Sequence, residues 1–262
     1  MNSIILIVDK VIFDKRDDYC MKFKTIGNHN GHKILLIHAM FVTSESFGAL
    51  TEYLKKDYLI ITPTLDGHDI SENSIFLSVE DEADKILDYL EDNDIKELDF
   101  VLGTSLGAII AFEIYKRNKI NINKVYLDGG PFFKFGPLVQ KILTKKFLDI
   151  CSRIQQNPEK AVNKLDILFP GLGNQMFDVC SHITEDSVKN LARACYSFKL
   201  PDLNIEAQKS VVFLYGTKES ARLCIFRLRK YKYSRIIKKR GFSHCGYLLS
   251  CPEEYAEMLK AN

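Results

Sequence analysis

Short apolar runs alternate with amphipathic stretches along most of this chain. Ile34–Ile37, Tyr58–Ile61, Leu98–Leu102, Val125–Leu127 and Val211–Tyr215 are rich in β-branched and aromatic residues, and mostly run into Gly, Pro or Asp, a pattern that predicts strands. Runs this continuous suit parallel strands buried on both faces. A further strand is expected over Tyr233–Lys238. Between the runs lie helical periodicities. Phe47, Leu50 and Leu54 share one face, and so do Val79, Ala83, Ile86, Leu87 and Leu90. Ser78 and Asp81 ahead of the second group have capping-box spacing. Ala221, Cys224, Ile225 and Leu228 repeat the helical spacing, and Pro252 opens a last helix carrying Tyr255, Met258 and Leu259. Strand–helix alternation of this kind predicts βαβ units and a doubly wound, mostly parallel α/β sheet.

The alternation stops between Pro131 and Leu200. This stretch reads as helical, with apolar clusters such as Leu138, Ile142 and Leu143 and a loop around Phe169-Pro170-Gly171. A helical insertion leaving the sheet after a strand end predicts a cap over the strand carboxyl ends, where open α/β sheets bind ligands. The expected organisation is therefore a core over 1–130, a helical cap over 131–200 and the rest of the core over 201–262. The amino-terminal residues 1–18 hold a short apolar run, Ile4–Val8, interrupted by Asp9 and preceded by no basic residue. That run predicts a strand or a loosely attached arm, not a signal peptide or a membrane span.

Composition narrows the class only slightly. The chain has 262 residues, 46% apolar and 27% charged, with a net charge of +2. This mix excludes disordered and collagen-like chains and gives no push toward nucleic acid or a membrane. Seven cysteines, with no CxxC pair, predict reduced thiols in a cytoplasmic protein. His29 and His32 are three residues apart in a Gly/Asn loop, which does not make a metal site, and neither metal nor cofactor is expected. Nothing in the sequence sets the oligomeric state.

The sharpest chemical feature is Gly103-Thr104-Ser105-Leu106-Gly107, placed between the strand Leu98–Leu102 and a helical segment, Leu106–Arg117. Such a strand–turn–helix forces the serine into a strained conformation with its hydroxyl exposed, and small flanking residues let the chains pass. A serine hydroxyl needs a base to take its proton. His244, in a Gly-Phe-Ser-His-Cys-Gly loop just before the last helix, is the best placed of six histidines. His38 ends a strand and reads as structural. A carboxylate should orient the imidazole. Glu219 follows the strand Val211–Tyr215, and Asp128, after the preceding strand, is the rival.

The order Ser105, Glu219, His244 resembles the α/β-hydrolase superfamily over roughly residues 20–130 and 201–262. Leu36-Ile37-His38-Ala39-Met40 resembles that family's oxyanion loop, Pro63–His68 its Gly-His turn, and Asn30–Ile37 its approach to the first parallel strand. The resemblance implies a doubly wound sheet of the α/β-hydrolase type and an oxyanion hole made by the backbone N–H groups of Met40 and Leu106. Three departures stand out. Ala39 replaces the usual Gly, the acid is Glu where Asp is commoner, and Asp69 stands where many members carry Gly.

The expected activity is that of a serine hydrolase acting on a small carboxylic ester or thioester through an acyl-enzyme. Acyl transfer, C–C bond hydrolysis or a non-catalytic ligand-binding role on the same fold are the alternatives, because fold does not choose among them. Phe41, Phe132, Phe133 and Phe169 are the expected pocket residues, around a cavity of ~300–1,000 Å³ that takes short- to medium-chain acyl groups. The partner is then a small-molecule acyl substrate. Nine Lys or Arg and no acid lie between Arg222 and Arg240, against ten acids and two Lys between Glu80 and Asp99. These are expected to be solvated faces, with a docking patch for an anionic substrate tail as the sharper reading.

Overall fold

The computed structural model describes residues 11–12 and 21–261. In chain order the strands are β1 (Val11–Ile12), β2 (Lys22–Gly27), β3 (His32–Ile37), β4 (Tyr58–Thr64), β5 (Glu97–Thr104), β6 (Asn121–Asp128), β7 (Val211–Gly216) and β8 (Arg235–Lys239). The helices are α1 (Gly48–Leu54), α2 (Val79–Asp92), α3 (Leu106–Arg117), α4 (Pro137–Gln156), α5 (Pro158–Leu168), α6 (Gly173–His182), α7 (Glu185–Tyr196), α8 (Ile205–Lys209), α9 (Ile225–Leu228), α10 (Gly246–Ser250) and α11 (Pro252–Lys260).

The strands form one eight-stranded sheet in the order β1-β2-β4-β3-β5-β6-β7-β8. From β4 to β8 every pairing is parallel, whereas β1 and β2 add an antiparallel edge. The strand β2 was not among those expected. Its run Lys-Phe-Lys-Thr-Ile-Gly alternates polar and apolar residues, as an antiparallel strand with one wetter face does, and lacks the continuous apolar signature of its parallel neighbours. Of the expected amino-terminal arm, Val11–Ile12 pairs with β2, and the rest lies outside the described residues.

Period-two alternation sorts side chains between two cores. Leu35 and Ile37 of β3, Val125 and Leu127 of β6, and Val211 and Phe213 of β7 pack with α2, α3 and the helices beyond. Ile34 and Leu36, Tyr126, and Val212 and Leu214 point the other way and meet α1, α10 and α11. Phe47, Leu50 and Leu54 are buried against that second face. Ser78 caps α2, its hydroxyl accepting a bond from Asp81 N at 3.1 Å. Between β6 and β7 the chain leaves the sheet for α4, α5, α6 and α7 before α8 returns it. No helix among the described residues is long and apolar enough to cross a membrane.

Candidate active site

Tight backbone crossings dictate the turn at Ser105. A Cβ on Gly103 would sit 2.1 Å from Gly107 O, and one on Gly107 would sit 2.1 Å from Ile37 O. Only glycine lets α3 start this close to β3 and β5. Ser105 itself takes φ +53° and ψ −109°, well outside the basins that L-residues prefer. Such a conformation costs ~1–3 kcal/mol and persists only where the surroundings impose it. Here they do: Ser105 N donates to Asp128 O at 2.7 Å, so the turn is pinned to the end of β6.

The loops after β7 and β8 are laced together. Thr217 N donates to Lys239 O at 3.0 Å, Lys218 N to Phe242 O at 2.9 Å, and Gly241 N to the Thr217 hydroxyl at 2.9 Å. Gly216 is required by the crossing, since a Cβ there would lie 2.3 Å from Phe242 O. This lacing brings Glu219 to His244. Glu219 Oε2 and His244 Nδ1 are 2.6 Å apart, and the other oxygen, Oε1, accepts from Gly216 N at 2.5 Å. A carboxylate can only accept, so the imidazole proton sits on Nδ1 and Nε2 is left with its lone pair. The two bonds to Glu219 use the reach of its extra methylene. The side chain curls back to its own strand end and still meets the ring.

Asp128 does not take that position. It is buried, its Oδ2 accepts from the Tyr255 hydroxyl at 2.9 Å, and desolvation together with the charge of Glu219 pushes its pKa up to about 7. The next residue, Gly129, is a site feature the sequence reading missed. At φ +64° a Cβ would lie 2.8 Å from His244 Cε1 and 3.1 Å from Glu219 Oε2. The signal was present as a Gly-Gly pair directly after a strand.

Ser105 and His244 line the same cavity, of about 70 Å³, with Ala39 and Met40 from the loop after β3. Phe169, Leu172 and Met176, from the insertion, close it, and Val42, Leu248 and Leu249 complete its apolar wall. This is much smaller than the cavity expected from the sequence, because those insertion side chains occupy the space above the serine. Of the expected pocket phenylalanines, Phe169 is in the wall and the other three are not. Phe132 is fully buried, 5.6 Å from the rings of Phe112 and Phe213, where it packs the insertion onto the sheet. Phe133 stacks on Phe135 at 5.0 Å. Phe41, at φ +67°, turns its ring away to meet Phe147 of α4 and so ties the loop to the insertion. Met40 lines the cavity beside the serine, and Leu106 follows Ser105 in sequence as the first residue of α3.

His38 is fully buried, with Nδ1 2.8 Å from Ala39 O and Nε2 accepting from Leu65 N at 2.9 Å. Burial lowers its pKa to about 3, so it stays neutral and holds the loop carrying Met40. Among the described residues, Asp66, Asp81 and Glu82 converge within 4.8 Å as a metal site would require, but Lys85 already bridges Asp66 and Asp81. The basic stretch is dispersed. Arg227 donates to Phe132 O and Phe198 O, Lys230 pairs with Asp202, and Lys239 lies 4.0 Å from the Tyr247 ring centroid.

No protein-family model matches the chain, and no curated protein matches it in sequence. Solved structures do. An alpha/beta hydrolase family protein from Desulfitobacterium hafniense aligns with a TM-score of 0.73 at 22% identity, over 92% of this chain and 99% of its own. A thermophilic esterase from Thermogutta terrifontis gives 0.74 at 14% identity, over 97% of each chain. The carboxylesterase CesB from Bacillus subtilis gives 0.71 at 14% identity, over 98% of this chain and 92% of its own. The chain has the α/β-hydrolase fold.

Proposed function

We propose that this protein is a serine hydrolase that cleaves small carboxylic esters through an acyl-enzyme. The observation that carries the proposal is the 2.6 Å contact of Glu219 with His244 at the cavity lined by the strained Ser105. His244 Nε2 takes the Ser105 proton as Oγ attacks the ester carbonyl, and Glu219 steadies the imidazolium that forms. The developing oxyanion is held by the N–H groups of Met40 and Leu106, each of the kind whose loss costs ~2.7–4 kcal/mol. His244 then protonates the leaving alkoxide. Water enters by the same base and releases the acid.

The substrate class follows from volume and lining. About 70 Å³ holds on the order of five water-sized groups. That space suits acyl groups of about two to four carbons, and the apolar wall offers no partner for a charged acyl tail. The four insertion helices act in this reading as the cap that sets the limit. The test is a p-nitrophenyl ester series from acetate to dodecanoate. The reading requires kcat/KM to peak at or before butyrate and fall beyond it. A profile still rising at dodecanoate overturns it.

A further inference from the structure

The loop His38–Thr43 joins β3 to the short helical turn Ser44–Phe47. It carries Met40, whose N–H the proposed mechanism uses, and at Phe41 it takes φ +67°. A non-glycine residue keeps such a conformation only where its surroundings impose it. The core fixes both ends. At the start, the His38 ring is bound to Ala39 O at 2.8 Å and accepts from Leu65 N at 2.9 Å. At the far end, Thr43 O accepts from Ser46 N at 3.0 Å and from the Ser46 hydroxyl at 2.8 Å. Those bonds take the Thr43 carbonyl and leave its N–H, which donates to the side chain of Gln175, on α6 of the insertion, at 3.1 Å.

The residue after Gln175 is Met176, which is buried and forms part of the cavity wall over Ser105. Successive helical residues point about 100° apart, so one turn of α6 faces both the acyl cavity and the loop. A second contact joins the same loop to the insertion, the rings of Phe41 and Phe147 meeting edge to face at 6.0 Å. Ring contacts tolerate small shifts. The hydrogen bond does not, because a withdrawal of α6 by ~0.5 Å along it carries the pair past the ~3.5 Å at which such a bond is lost.

We propose that Gln175 is a positioning residue that couples the acyl-chain wall to the loop carrying Met40, so that an acyl group too long for the cavity is penalised in kcat. A short acyl group leaves Met176 in place, and the bond to Thr43 N holds the loop with the Met40 N–H on the oxyanion. A longer one presses Met176 outward, α6 withdraws, Thr43 N loses its acceptor and the donor drifts off its target. The effect on turnover rests on the ester hydrolase reading, whereas the clamp on the loop does not.

The test compares wild-type protein with Gln175→Leu, which keeps the volume and removes the acceptor, and Gln175→Glu, which keeps an acceptor. On p-nitrophenyl acetate, Gln175→Leu should lower kcat at least about tenfold, part of what losing an oxyanion donor costs, with KM within about twofold. Gln175→Glu should recover kcat to within about threefold of wild type, since a carboxylate accepts from an N–H as the amide oxygen does. On the octanoate ester, where the clamp is already released, Gln175→Leu should change kcat less than about twofold, so the preference for the short chain collapses. Amide hydrogen exchange at Thr43 should be at least about tenfold faster in Gln175→Leu than in wild type, and slow again in Gln175→Glu. Unchanged exchange at Thr43, or Gln175→Leu with wild-type kcat on acetate, overturns the proposal. So does a fall in kcat that Gln175→Glu does not recover. An equal fall on both esters overturns the coupling to chain length. If the wild-type protein cleaves no ester, the hydrolase reading fails on its own, and exchange at Thr43 decides whether Gln175 holds the loop.

Discussion

Replacing Asp128 with Asn should stabilise the protein, and increasingly so as the pH rises. The Asp128 carboxyl is buried, lies near Glu219, and has its pKa pushed from the ordinary 3.8 to about 7. The folded protein therefore holds a proton there that the unfolded chain gives up. Below about pH 4 both states are protonated and the group has no effect on the pH dependence. As pH rises through the window between 3.8 and about 7, folding must retain that proton, and stability falls. Above about 7 both states are ionised and the loss is complete. At ~1.36 kcal/mol per pH unit the full loss is about 4 kcal/mol. Asn keeps an oxygen for the Tyr255 hydroxyl and has no proton to lose. Urea melts of both proteins from pH 4.5 to 8.5 measure the difference. It should be small at the acid end, grow through neutrality and level off above about pH 7. A difference that is flat with pH, or that favours Asp at pH 8.5, would refute the buried-carboxyl account.

Three further outcomes follow from the site. Glu219→Gln should lower kcat by ~10⁴-fold, because an amide cannot hold the Nδ1–H tautomer or balance the imidazolium; Asp128→Asn should cost less than tenfold, and the reverse ranking would give the acid's role to Asp128. Gly129→Ala should cut kcat at least tenfold while retaining the fold by circular dichroism, since its methyl meets the His244 ring at 2.8 Å; wild-type turnover would mean the ring has room to spare. Met176→Ala should enlarge the cavity and shift the preferred acyl chain upward by about two carbons, each buried methylene adding up to ~0.8 kcal/mol; an unchanged optimum would remove α6 from the specificity wall.

The parallel strands and their order of chemistry were legible because each carries a local signature. An apolar run feeds Gly103-Thr104-Ser105-Leu106-Gly107, and that pentapeptide encodes two backbone crossings that tolerate no Cβ. The choice of Glu219 as the neighbour of His244 was also within reach, since chain order places the β7 and β8 loops side by side. What remained hidden depends on packing between distant segments. Phe132 follows a strand end as a pocket residue would, yet its ring is claimed by Phe112, Phe198 and Phe213, which no local pattern reveals. Phe41 looks equivalent to Met40 in sequence, and a positive φ sends its ring to α4 instead. Cavity volume depends on how the Phe169–Met176 segment folds over Ser105, a relation between insertion and core that composition cannot express.

The central claim is that Ser105 is a nucleophile activated by His244 and Glu219. Labelling with a fluorophosphonate, read by intact-protein mass, tests it most directly. Wild-type protein should take up one phosphonyl group, with the adduct mapped to Ser105. Ser105→Ala should take up none, and His244→Ala should label at least a hundredfold more slowly while both variants keep the wild-type circular dichroism spectrum. Equal labelling of Ser105→Ala, or an adduct mapped to any other residue, would contradict the account.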